Sequence, residues 1–377
     1  MIIHNPLIGR PLVRVRSVSV HLILKWSTCI TGIALLCETS LAASPNTCTP
    51  YSSRCINSDI LWPHPGKREF VALGPTQLLE PYEFSVALVT TYQYQPITIQ
   101  VPSPKSMGIE LAVIENQLNT NLLFAYGVLP RLQLDVILPF TLMQSGAGMA
   151  PLSGGEKLRT HTLRDMRFGF AYRLPSTSSP SSTLSWSLVS RLQMTAPTGD
   201  PLQLAGEGIP VIFPSLALGM KHHRLLLGVE TGARIRPTST WSNLAIGTQI
   251  SMITGVGYDL LPSRKKLIAF LEAWALPTFP VQKSLPLIPK EDLRMFLIPS
   301  EWMLSLQATN LFNTGFNLQF GSGTALPWIG TNTPTEPQFR FVIGLAYLSP
   351  SGLQSSLSSP SPFFLSGLKR GITYEML

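Results

Sequence analysis

Charged residues are few in this sequence, and those set in alternating stretches are the ones placed to do chemistry. In Arg224 to Arg236, Leu225, Leu227, Val229, Ala233 and Ile235 alternate with Arg224, Gly228, Glu230, Gly232, Arg234 and Arg236. Met166, Phe168, Phe170, Tyr172 and Leu174 likewise stand opposite Asp165, Arg167, Gly169 and Arg173. Leu132, Leu134, Val136, Leu138 and Phe140 stand opposite Arg131, Gln133 and Asp135. Alternation with period two is the signature of a strand whose faces meet different surroundings. The pattern selects Asp135, Arg167, Arg191, Glu230, Arg234, Glu272 and Arg340 as charges facing the polar interior of a barrel. A charge so placed persists only where water or an opposite charge meets it. Two roles are open to the set: the lining of a polar passage that biases solute choice, or an ion-pair network that fills a narrow barrel.

The histidines are the potential bases of a barrel enzyme. His222 and His223 fall in a tight turn, His64 in the irregular N-terminal region, and only His161 stands in a long connection, four residues before Asp165. One such pair is weak ground for catalysis, so no enzyme is expected. Gly154-Gly-Glu-Lys157 lacks P-loop spacing and a strand-to-helix context, and reads as loop glycine. Cys37 follows Leu36, where a lipoprotein cysteine normally needs a small residue. With the leader removed, Cys48 and Cys55 remain, which fits a disulfide formed in an oxidising compartment; two cysteines cannot close a zinc site. No cofactor and no metal are expected.

The elements that would hold these residues begin after residue 43. A long basic region precedes an apolar core from Trp26 to Leu36 and a small-residue stretch ending at Ala43, the order of a cleaved signal peptide. Residues 44–81 are rich in Pro, Ser and Asn without periodicity and read as a loosely structured periplasmic segment. The chain has 377 residues, 13% of them charged and 45% hydrophobic. That is too little charge to coat a water-facing surface, where about a quarter is usual. A helical membrane protein needs apolar runs of about 20 residues, and the long uncharged stretches here are broken throughout by Ser, Thr, Asn, Gln and Gly. A transmembrane β-barrel resolves the conflict, because alternate residues face lipid and lumen. The net charge of +8 is partly the leader's, and the remainder has no block of like charges, so nucleic acid is not an expected partner.

About twelve strands follow between residues 82 and 348, in an all-β, up-and-down antiparallel barrel. Their spans are Glu83 to Gln95, Glu115 to Gly127, Arg131 to Met143, Arg164 to Leu174, Thr183 to Thr195, Pro210 to Met220, Arg224 to Arg236, Gly247 to Asp259, Lys266 to Leu276, Glu301 to Leu311, Gly315 to Ala325 and Gln338 to Leu348. Short connections such as Val128-Leu-Pro130 and Lys221-His-His223 alternate with long ones rich in Pro and Gly, such as Gln144 to Leu163. Outer-membrane barrels have short periplasmic turns and long external loops, so this phase puts both chain ends in the periplasm. Tyr126, Trp186, Tyr258, Trp274, Trp302, Trp328 and Tyr347 are candidates for interfacial girdles. A soluble β-sandwich would share the alternation, but with better charged outer faces.

Asn116-Gln-Leu-Asn-Thr-Asn-Leu-Leu-Phe-Ala-Tyr-Gly127 followed by Leu129-Pro-Arg-Leu-Gln-Leu-Asp-Val-Ile-Leu-Pro139 resembles the second hairpin of bacterial barrels that often precede an OmpA-type peptidoglycan-binding domain. Ala196-Pro-Thr-Gly-Asp200, Gly206-Glu-Gly208, Gly321-Ser-Gly-Thr324 and Phe339-Arg-Phe-Val-Ile-Gly-Leu-Ala-Tyr347 continue the resemblance. It spans roughly Glu83 to Pro350 and extends to phenol-degradation-type outer-membrane transporters. A Ser/Pro-rich tail, residues 349–377, follows instead of the peptidoglycan-binding module; it is either free in the periplasm or folded into the lumen. The expectation is a passive outer-membrane channel or transporter for small solutes, with a non-conducting barrel that displays its loops to a partner as the alternative. Its other partners would be outer-membrane lipid and, during insertion, the barrel-assembly machinery.

Overall fold

The computed structural model describes residues 56–101, 109–148, 157–175, 184–237, 239–241, 244–261, 267–278, 298–326 and 335–349. Twelve of its strands make the wall: β1 Phe84–Val101, β2 Ile109–Leu129, β3 Leu132–Ser145, β4 Met166–Arg173, β5 Leu184–Ala196 and β6 Ile212–His222. The second half is β7 Leu225–Arg234, β8 Gln249–Asp259, β9 Leu267–Ala275, β10 Ser300–Leu311, β11 Phe316–Ala325 and β12 Phe339–Leu348. Each strand pairs antiparallel with its sequence neighbours, and β1 also pairs with β12 from Ser85↔Leu348 to Tyr94↔Phe339. That last seam closes the ring, so no wall strand is left with an open edge for lipid to meet. A two-residue strand, Thr162–Leu163, adds to β3, and Ser239–Trp241 pairs with Leu244–Ile246 in a separate ribbon.

The alternation sets which residues face lipid. Leu134, Val136, Leu138, Phe168, Phe170, Leu227 and Val229 are exposed on the outside, Val229 at 53%, while Glu230, the next residue along the strand, is fully buried. A continuous apolar belt of this extent would not stay dispersed in water. The fold is a transmembrane up-and-down β-barrel, and the sandwich, which would bury Leu227 and Val229 against another sheet, is excluded. At the end with the short turns, Phe84, Tyr347 and Phe316 pack with ring centroids 5.9 and 5.1 Å apart. That cluster is a girdle of the expected kind. Trp274 is no part of one: it points inward and is buried with Phe70 and Phe270.

Two corrections concern the ends of the wall. The first hairpin continues past its expected limits, because register shifts at Tyr94 and Ile97 carry β1 and β2 across Pro96 to the pair Val101↔Ile109. Proline at a bulge does not end a strand there, since a bulged position needs no ladder hydrogen bond.

The larger correction is the N-terminal segment. Residues 56–81 are not loosely structured outside the barrel; they run through its inside. Ser58 N–H donates to Leu204 O (3.0 Å) at the rim with the long connections, and Tyr82 N–H donates to Gly127 O (2.8 Å) at the opposite rim. The chain therefore enters β1 from the short-turn rim but reaches it from the other one. Ile60, Leu61, Phe70, Val71, Ala72 and Leu73 join the inward Leu123, Ile137, Ile253, Phe270, Trp274, Met303 and Val342 in one buried apolar cluster. The segment shows no periodicity because it has no regular structure; its backbone groups are satisfied by wall side chains instead.

Candidate functional site: the occupied lumen

Inward positions of the wall strands carry the polar side chains, and many of them hold the segment. Arg340 on β12 donates from Nε (2.7 Å) and Nη2 (2.9 Å) to both oxygens of Glu301 on β10, and from Nη1 to Asp59 Oδ1 (2.9 Å). Asp59 also accepts from Asn119 Nδ2 (2.9 Å) and from the Leu61 amide (3.0 Å). On β7, Arg234 donates to Ile60 O (2.9 Å), with its guanidinium 4.0 Å from the centroid of the Trp62 ring. Arg167 on β4 stands over the same ring at 5.0 Å and donates to Asn121 Oδ1 (3.3 Å).

Deeper in, the wall carboxylates grip backbone amides. Glu272 on β9 accepts from Val71 N–H at 2.9 and 3.1 Å. Glu230 on β7 accepts from Gly74 N–H and from the Ser215 hydroxyl, each at 2.7 Å, and lies 3.8 Å from Arg191 Nη1. Arg191 on β5 donates to Pro75 O. Asp135 on β3 accepts from Gln133 Nε2 (2.7 Å), and Gln133 in turn accepts from Leu79 N–H (3.1 Å). Of the sequence-derived set, only Asp135 reaches the segment through another side chain.

Reasoning from the sequence missed Asp59, Trp62, His64 and Arg68 as interior residues, since nothing in an aperiodic stretch says where it lies. His64 stands buried beside Gln193 (Nδ1 to Nε2, 3.2 Å) and Arg68 donates to Gln319. It also missed the function of three glycines. Gly219, Gly228 and Gly255 are mutual register partners on β6, β7 and β8 and form an inward row. A Cβ at Gly219 would lie 2.2 Å from Thr76 Oγ1, at Gly228 2.9 Å from Leu73 Cδ1, and at Gly255 2.6 Å from Phe70 Cε1. The row is a trough that the segment fills.

At the rim with the long connections, Asp165 accepts from Gly199 N–H (2.9 Å) and Glu207 N–H (2.8 Å), fixing the Ala196–Ile212 connection. Burial pushes its carboxyl up to about 6, against the pull of those two bonds; nearby Glu207 adds to the rise and Arg164 opposes it. Arg236 pairs with Glu207 at 2.5 Å. The structure does not join His161 to Asp165: the exposed His161 ring bonds Leu142 O. The His222 and His223 rings meet edge-on in the short turn, centroids 4.4 Å apart. Cys48, Cys55, the leader and the tail from residue 350 lie outside the described residues. No cluster of metal-ligand type occurs among the described residues. The cavities left near this rim hold about 20 Å³ each, space for a single water-sized particle.

No family model matches the sequence, and no curated protein is detectably similar to it. Among solved structures, an outer membrane channel from Pseudomonas putida F1 is 16% identical, with a TM-score of 0.51 over 74% of this chain and 100% of that one. That likeness shows a shared fold, the outer-membrane β-barrel. The NanC porin (8% identity, TM-score 0.41, 70% of this chain and 98% of that one) is more distant. So is outer membrane phospholipase A from Escherichia coli (11%, 0.34, 71% and 93%).

Proposed function

We propose that the protein is an outer-membrane channel or transporter for small solutes whose lumen is closed at rest by its own N-terminal segment. One observation carries this reading: the wall is a complete ring without the segment, and the backbone of the segment is bonded to polar wall side chains rather than paired into the sheet, beside the apolar cluster that packs its middle. Glu272, Glu230, Arg191 and Arg234 each bond a backbone group of the segment. Water or a polar solute offers those side chains equivalent partners, so the path opens by exchange of partners rather than by rupture of the wall. The same wall charges then face the solute.

A filled lumen also favours the rival, a non-conducting barrel that displays its long connections to a partner. Planar-bilayer recording separates the two. The full chain is expected to give rare, small openings, and a variant lacking residues 56–80 to give steady large steps. A deletion variant that keeps heat-modifiable gel migration yet stays silent would establish the rival.

A further inference from the structure

The geometry points to a binding site for a small monovalent anion, chloride-sized, in the polar cavity between Arg164 and Arg167 at the rim with the long connections. The site is a matter of buried charge and stands whether or not the lumen conducts. Arg167 is 3% exposed, makes no ion pair among the described residues and has Nη1 without a hydrogen-bond partner. Its other bonded nitrogen meets only the neutral Asn121 oxygen. A buried guanidinium with no carboxylate in contact is costly, because Asn121, the Trp62 ring and the more distant Asp59 replace only part of the charge stabilisation that water gave.

Nor is it alone. Arg234, which also lacks an ion pair among the described residues, shares the Trp62 ring with it, and ring faces offset only part of a cation's desolvation. Arg164 lines the same cavity; Nη1 donates to neutral oxygens of Ser58, Asn119 and Thr141 at 3.2 to 3.4 Å and Nη2 to Asn57 Oδ1, with Asp59 and Asp165 nearby but outside ion-pair contact.

The carboxylates in the lining are committed elsewhere. Asp59 is held by Arg340, Asn119 and the Leu61 amide, Asp165 by two backbone amides, and Glu207 by Arg236. Thr195 Oγ1 already accepts from Val211 N–H (2.8 Å), so its hydroxyl proton remains to be given. The cavity thus offers Arg167 Nη1 and a hydroxyl donor as open donors, with the Arg164 charge beside them and the three carboxylates bonded elsewhere, around space for one small particle. Arg167 and Arg234 have no carboxylate in ion-pair contact among the described residues; a water there brings them no opposite charge, and a halide brings one.

The test is anomalous diffraction from crystals of the full chain grown or soaked in sodium bromide. A bromide peak in hydrogen-bond reach of Arg167 Nη1 is expected, absent in Arg167→Gln. Asn121→Asp gives Arg167 a carboxylate in place and should abolish the peak while raising the temperature at which the folded gel band is lost. Absence of anomalous signal in the wild-type cavity overturns the proposal, as does a peak undiminished in Asn121→Asp.

Discussion

Arg340 is fully buried, and its five-donor fork is spent on two carboxylates from different parts of the chain, Glu301 in the wall and Asp59 in the segment. Removing the cation leaves Glu301 without its partner and Asp59 with only the Asn119 and Leu61 bonds, a loss of roughly 3–5 kcal/mol for a buried pair of this kind. Arg340→Met should therefore lower sharply the temperature at which the compact gel band is lost. Asp59→Asn should lower it less, because the bidentate Glu301 contact survives. Equal melting of Arg340→Met and wild type would show that the triad holds nothing. Asp165 makes the opposite electrostatic case. Its folded carboxyl sits at about 6, above the ordinary value of 3.8, so the protonated form is the one the fold favours. The associated stability is complete below about 4 and is lost as pH rises through about 6. Amide exchange at Gly199 and Glu207 should accelerate between pH 4.5 and 7.5 beyond the intrinsic chemical rise, and that excess should vanish in Asp165→Asn.

Between strands, the glycine row decides what the lumen can hold. Gly219, Gly228 and Gly255 lie side by side with no side chain between the wall and Thr76, Leu73 and Phe70. Gly255→Leu keeps the outward face intact but fills the trough that Phe70 occupies. The expected result is an inserted, heat-modifiable barrel in which a cysteine at position 70 reacts with a water-soluble thiol reagent that does not reach it in the parent. Unchanged protection would mean the segment is held elsewhere. This is also where legibility in the sequence ran out. Alternation in Arg224 to Arg236 and in Asp165 to Leu174 was enough to place inward and outward faces, because a barrel wall forces period two on every strand. It could not say what the inward face meets. Leu123, Ile137, Phe270 and Trp274 face inward and are apolar, which makes sense only against Phe70, Val71 and Leu73. Those lie in a stretch whose irregular backbone leaves no periodic trace, so Asp59 and Trp62 were invisible as site residues while their wall partners Arg340, Arg167 and Arg234 were not.

For the molecule as a whole, a closed ring around a through-running chain has a topological consequence. The segment passes from Ser58 at one rim to Tyr82 at the other before β1 begins, and β12 ends at the rim where β1 starts. The two ends of the described chain therefore leave the barrel on opposite sides, whereas the parity of the strands alone had put them together. Long connections mark the outer side of barrels of this class, so Ile56 lies at the outer rim and Ser349 at the short-turn rim. Since the β1–β12 seam is antiparallel and unbroken from Ser85 to Tyr94, the segment cannot slip in sideways once the ring is shut. It must lie in place as the seam forms, or thread end-on afterwards. An epitope placed just ahead of Ile56 should be labelled by antibody on intact cells, and one placed after Ser349 only once the outer membrane is permeabilised. Labelling of the first epitope only after permeabilisation would place the chain ahead of Ile56 on the short-turn side, and a segment running from rim to rim would then be untenable.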